Sequence, residues 1–223
     1  MPSKPHTDDV YNQKRVPKNP IKYQFTLTEE QKEAKASVYE KDVTFILGTY
    51  GTGKTACACQ IALDLVFKRH NGIDKIYISR PIDFSATGYL KGSIQEKMDL
   101  FIMPIKQNLY AAYSKEKIDK MFADEIIHIV PINYLKGFTF TDAVIIIDEF
   151  EDINYHDFKL VLTRLGKNSK LMFTGSEEQT DIKDSCIPQI KKLKDSGIVG
   201  YHELTINHRN EDIVRIIDYI ESH

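Results

Sequence analysis

The chain has 223 residues, 42% of them hydrophobic, enough for one sizeable core that takes roughly 70% of the extended surface out of water, and too few for two large domains. A formal charge of −2 and a pI near 6.4 exclude a general basic coat for nucleic acid or membrane, so any such binding has to be local. The three cysteines, Cys57 and Cys59 on one predicted helix and Cys186 far off, fit neither a disulfide framework nor a zinc site and read as small buried hydrophobes in a reducing compartment.

Residues 1–22 are rich in proline and charge with no sustained apolar period, and read as a flexible arm ahead of one domain over 23–223. A helix is predicted to begin at Thr28, which can cap the first amides with Gln31 three residues on, as in a capping box. Short β-branched runs then alternate with longer helical patterns. Strands are predicted at 43–47, 75–79, 126–130, 143–148, 170–174 and 200–204, and helices at 53–70, 93–113, 155–165, 186–194 and 211–221. Several strands are apolar at every position, as strands covered on both faces must be, so the architecture is a parallel α/β sheet with helices on both faces. With no signal peptide and no apolar run of spanning length, a cytoplasmic protein without membrane partners is expected.

The segment GTYGTGKT, Gly48–Thr55, joins the first strand to the following helix and fits G-x-x-x-x-G-K-[ST] in the context that gives the pattern meaning. Gly48, Gly51 and Gly53 let the backbone of Thr49, Tyr50 and Thr52 curl so that successive N–H groups, up to Lys54, Thr55 and Ala56 at the helix start, converge on phosphate oxygens. Lys54 would neutralise the β- and γ-phosphates of ATP, and Thr55 would offer its hydroxyl to Mg²⁺.

The run AVIIIDEF places Asp148 and Glu149 at the carboxyl end of a buried strand, where open α/β sheets bind ligands. Adjacent acids in such a place are often solvated loop residues, but the upstream phosphate loop gives both a task. Asp148 is the partner for Mg²⁺, and Glu149 would orient or deprotonate the attacking water. Gln179, after the strand ending at Thr174 and Gly175, and Arg209, before the last helix, are further candidates for sensing and contacting a γ-phosphate. Both types are also common surface groups, and the two readings stay open for each.

The order of these segments resembles the PhoH-like proteins, a family similar to the first motor domain of superfamily 1 helicases. The resemblance runs over most of residues 26–222 through Gln31, GTYGTGKT, SRP at 79–81, YLKGFTFTDAVIIIDE, LTRLGKNSKLMFTG, EEQTD and NHRNEDIV. It implies a RecA-like P-loop NTPase, a single motor domain that hydrolyses ATP with Mg²⁺, with Gln31 as the adenine-reading glutamine. Three departures stand out. Phe150-Glu151 occupies the place of the usual Ala-Gln after Asp-Glu, Ser176 that of an aspartate after Gly175, and Lys136-Gly137-Phe138-Thr139 that of Arg-Gly-Arg-Thr. They leave the phosphate residues intact and fall where coupling to a substrate is arranged.

Superfamily 1 helicases close two motor domains over ATP, whereas this sequence ends at His223, just past the helix after Arg209. A homo-oligomeric ring of about six copies, a hexamer, is therefore expected to close the cleft. An arginine crossing between subunits can add ~10³ or more in rate; Arg164 is one candidate, with a helix-surface salt bridge as its other role. The stretch 79–98 is where helicase relatives meet single strands. There Arg80, Lys91 and Lys97 could meet phosphates of RNA or single-stranded DNA, and Phe84 or Tyr89 could stack on bases, although Asp83 and Glu96 interrupt the positive charge. An ATP-driven nucleic-acid motor, an ATP-gated assembly switch and a phosphotransferase all remain open, while a ribonuclease activity is not expected.

Overall fold

A computed structural model describes residues 21–81, 94–177, 184–209 and 211–221; the arm expected over 1–22 falls, but for its last two residues, outside them. The first helix, α1 (Glu29–Glu40), starts as its sequence requires: Thr28 Oγ1 accepts from Gln31 N–H while Gln31 Oε1 accepts from Thr28 N–H at 3.1 Å. This reciprocal box satisfies two amides that a helix start otherwise leaves without partners.

Then follow β1 (Val43–Gly48), α2 (Lys54–Phe67), β2 (Lys75–Ser79), α3 (Ile94–Ala112), α4 (Lys115–Ala123), β3 (Ile127–Ile129), β4 (Ala143–Asp148), α5 (Tyr155–Leu162), β5 (Lys170–Gly175), α6 (Ile187–Lys194), β6 (Gly200–Leu204) and α7 (Glu211–Glu221). All six strands lie in one sheet in the order β3-β2-β4-β5-β1-β6, every pairing parallel. The expected α/β class, with its parallel sheet and P-loop NTPase arrangement, is thus the observed one. The α4 helix is absent from the sequence reading. Ser114 caps it by accepting from Lys117 N–H, and Ile118 and Met121 are its buried residues.

Alternation along the strands builds two cores. On one face Ile46, Ile76, Ile78, Val144, Ile146 and Met172 pack beneath α1–α4. On the other, Phe45, Leu47, Ile145, Ile147, Leu171 and Phe173 pack beneath α5, α6 and the 3-10 turns after β3 and β4. Because α2 lies between sheet and helices, Cys57 and Cys59 are both buried despite pointing to different faces, and burial pushes the Cys57 thiol up to about 12. All three cysteines are free and buried, as expected of small hydrophobes. No helix among the described residues is long and apolar enough to cross a membrane.

One polar hub fastens the start of the domain to α2. Asp64 is buried, and its carboxylate accepts hydrogen bonds from Tyr23 (2.8 Å) and Tyr39 (2.7 Å) and pairs with Lys35 (2.7 Å) and Lys68 (2.9 Å). Burial alone would raise this carboxyl, but the four donors outweigh it and bring it down to about 2. The two tyrosine hydroxyls are pushed up, by burial first and then by the carboxylate they face.

Candidate nucleotide site

The sheet order decides what can meet. β5 lies between β1, which feeds the glycine loop, and β4, which ends at Asp148, so three strand ends converge at one edge. Thr55 Oγ1, in the first turn of α2, donates to Asp148 Oδ1 at 2.7 Å, and Thr174 Oγ1, from β5, donates to the same oxygen at 2.6 Å. A hydroxyl and a carboxylate oxygen side by side make the hard oxygen pair that a small divalent cation takes, with water completing its octahedron, so Thr55 and Asp148 fit Mg²⁺.

The loop itself runs through glycines at positive φ, Gly51 at 79° and Gly53 at 76°. A Cβ on Gly48 would lie 2.5 Å from Leu204 O and 2.7 Å from Thr52 Oγ1, so the turn out of β1 has room only for glycine. Thr52 is buried and donates to Thr49 O at 3.0 Å, while Ala56 lies half-buried in the helix behind it. Lys54 folds back over the loop, Nζ donating to Gly48 O (2.6 Å) and Thr49 O (2.9 Å). Burial lowers its ammonium from the usual range and Arg209 adds to that, whereas the Glu151 and Asp148 carboxylates work against it.

Gln31 is brought to the loop from α1. Its Nε2 donates to Thr52 O at 3.3 Å, and a Cβ on Gly53 would lie at the same distance from that nitrogen. Its amide thus fixes both the start of α1 and the loop. The segment after β6 braces the opposite side: Asn207 Nδ2 donates to Tyr50 O (2.8 Å), His208 N–H to Gly51 O (2.9 Å), and Arg209 N–H to Asn207 Oδ1 (2.8 Å). Arg209 itself lies 6.0 Å from the Tyr50 ring centroid, so it is at the loop. Glu30 anchors this segment in turn, accepting from the Thr205 N–H and hydroxyl, which hold its carboxyl below the usual range. Sequence reasoning missed Asn207, His208 and Glu30; their only signal was position, before the last helix and at the start of the first.

Glu149 follows Asp148 in a left-handed backbone conformation, φ 53° and ψ 52°, which a non-glycine residue adopts at a cost. Its carboxylate is held by the Arg80 guanidinium through two contacts, Nε to one oxygen and Nη2 to the other. Arg80, read from the sequence as a phosphate contact, is thus an ion-pair partner of the Asp-Glu pair. Gln179, Phe84, Tyr89 and Lys91 lie outside the described residues, as does the side chain of Lys97.

Residues 25–218 match the family model described as PhoH-like protein. The chain belongs to the PhoH-like family. It is similar to PhoH-like proteins of Synechocystis sp. (35% identical over 157 residues, 70% of this chain and 47% of that one) and Bacillus subtilis (30% over 229 residues, 93% and 70%). It is also similar to protein PhoH of Escherichia coli, 29% identical over 187 residues, 80% of this chain and 51% of that one. The chain thus spans 47% to 70% of the length of these relatives. Among solved structures, Pif1 helicase from Candida albicans is similar at 14% identity and a TM-score of 0.45, covering 88% of this chain and 43% of that one, a level that carries no argument about function.

Two of the three departures from the PhoH-like pattern, those at Phe150-Glu151 and at Phe138, have structural accounts. Phe150 is fully buried, edge-on to Phe45 and Phe173, so it serves the core under β1 and β5. Glu151 is buried beside Gly175, where a Cβ would collide with Oε2, and burial raises its carboxyl. Phe138 stacks on Phe140 at 5.7 Å between ring centroids, so an aromatic layer fills the place of the usual arginine.

Proposed function

We propose that this PhoH-like P-loop domain binds ATP with Mg²⁺ and hydrolyses it. The observation that carries the reading is the shared oxygen of Asp148, which holds the loop hydroxyl of Thr55 and the β5 hydroxyl of Thr174 at 2.7 and 2.6 Å. Bound there, the ion would polarise the phosphate oxygens and offset the charge that develops on them. Lys54 leaves the carbonyls of Gly48 and Thr49 for the β- and γ-phosphates, and the loop amides take the remaining oxygens. Glu149 accepts a proton from water as the water oxygen bonds to the γ-phosphorus and the bond to the bridging oxygen breaks, releasing ADP and phosphate. Arg209 would bring positive charge to the γ-phosphate, and the neutral amide of Gln179 would sense its presence by hydrogen bonding. Gln31 sets the loop beside the adenine side.

The same reading includes a nucleic-acid partner and a ring. Tyr134, two-thirds exposed, and Lys136 lie just past the carboxyl end of β3, a stacking group and a cation on the side of the sheet where single strands would cross. Arg164 lies beyond the end of α5, and its Nε is buried without a hydrogen-bond partner among the described residues. In a homo-oligomer of about six, a guanidinium from an adjoining copy would complete the nucleotide site, and Arg164 is the candidate for it.

The test is ATP binding and turnover of the purified chain and of Lys54→Ala and Glu149→Gln, with and without single-stranded oligonucleotides, alongside solution mass with and without nucleotide. Lys54→Ala should lose binding, and Glu149→Gln should bind without turnover. Equal turnover by Lys54→Ala and its parent would remove the reading. Turnover indifferent to oligonucleotide, with a nucleotide-dependent mass, would instead favour an assembly switch.

A further inference from the structure

Arg80 and Glu149 sit at the carboxyl ends of neighbouring strands, β2 and β4, whose register pairs Ser79 with Ile147. The guanidinium takes both carboxylate oxygens of Glu149, the planar two-point pairing that arginine forms best. A carboxylate so engaged has its oxygens committed to the guanidinium rather than to a water. Through this pair Glu149 is turned toward β2. Neither residue is sealed in, since the Arg80 side chain is 25% exposed and that of Glu149 38%.

We propose that Arg80 is a positioning residue that holds Glu149 out of use, and that a phosphodiester of a single-stranded nucleic acid releases it by taking over the guanidinium. This rests on the ATPase reading above. The fork that fits a carboxylate fits a phosphate equally well, so one anion can displace the other without leaving arginine bare. Strand binding and hydrolysis would then be coupled through a single side chain between two adjacent strand ends. The proton transfer itself is unchanged; only the availability of its acceptor differs.

The experiment compares the parent, Arg80→Gln and Arg80→Lys in steady-state ATP turnover, with and without a single-stranded oligonucleotide, with Lys54→Ala as the reference for the nucleotide site. Arg80→Gln is expected to raise kcat without oligonucleotide by about tenfold at unchanged KM, the scale of one charge-assisted hydrogen bond, and to gain nothing further from the strand. Arg80→Lys, which keeps the charge but makes one contact, should fall between. A kcat for Arg80→Gln at or below the parent's overturns the restraint; a misfolded variant cannot mimic the expected rise, and Arg80→Lys supplies the second reading. Oligonucleotide stimulation that is absent in the parent, or equal in Arg80→Gln and the parent, overturns the release. A parent with no turnover, or with turnover matched by Lys54→Ala, instead brings down the ATPase reading beneath.

Discussion

Thr174 is the register partner of Asp148 across the β4–β5 pairing, and its hydroxyl donates to Asp148 Oδ1 at 2.6 Å. A strand inserted between the loop strand and the acidic strand thus orients the carboxylate. Thr174→Val keeps the shape and removes the donor. Stability should fall by about 1 kcal/mol, and the Mg²⁺ concentration giving half-maximal ATP turnover should rise by 10-fold or more, as happens when a ligand loses its orienting partner. A magnesium titration of turnover reads this directly; an unchanged midpoint would mean that Thr174 serves packing alone.

Gly175, the next residue, gives way to the Glu151 carboxylate and the Phe150 ring, whose Cδ1 lies 2.7 Å from where a Cβ would stand. Gly175→Ala should cost roughly 1–3 kcal/mol through overpacking. Combined with Glu151→Ala, part of that cost should return, because the clashing oxygen is gone. Urea unfolding of the two single variants and the double one gives the coupling; simple additivity would place the strain elsewhere.

Most of the fold, and the segments that meet at the candidate site, were legible in the sequence. The strands at 43–47, 75–79 and 143–148 are apolar at every other position or throughout, because both faces of the sheet are covered, and that pattern is local. Gly48–Thr55 and Asp148 were legible because their chemistry needs particular residue types next to a strand end. The α4 helix was not read, although Ser114 and the buried pair Ile118 and Met121 carry its signal in nine residues between longer patterns. The Arg80–Glu149 pair could not be read at all. It depends on β2 and β4 being neighbours, and strand order is set by long-range packing that no window of sequence contains.

Asp64 should make the domain acid-sensitive in a defined window. Its folded value, about 2, lies below the ordinary carboxylate value of about 3.9. Its contribution is therefore complete above about pH 4 and is lost as pH falls from there toward about 2, amounting to about 2 kcal/mol. Asp64→Asn should lower stability at neutral pH by roughly 1–3 kcal/mol, by removing the buried charge that its partly exposed donors share, and should flatten the pH dependence in that window. Denaturant midpoints of parent and variant between pH 2 and pH 6 check it; parallel curves would contradict the hub.

Asn207 reaches the loop through one contact, its Nδ2 donating to Tyr50 O at 2.8 Å, and it accepts from Arg209 N–H. Asn207→Ala should leave the melting temperature nearly unchanged, because the residue is exposed. It should raise the KM for ATP several-fold, by loosening both the loop and Arg209. Glu30→Gln should act in the same direction and more weakly, since it keeps an acceptor for Thr205. Steady-state kinetics at fixed magnesium separates the two; equal KM in all three proteins would show that the brace has no part in binding.

Asn207 and His208 are bonded to Tyr50 and Gly51 and stand immediately before α7, which exposes Ile213, Ile216, Tyr219 and Ile220 along its length. The glycine loop and the segment that leads toward α7 are therefore tied by two hydrogen bonds, so a displacement of the loop at Tyr50 and Gly51 pulls directly on Asn207 and His208.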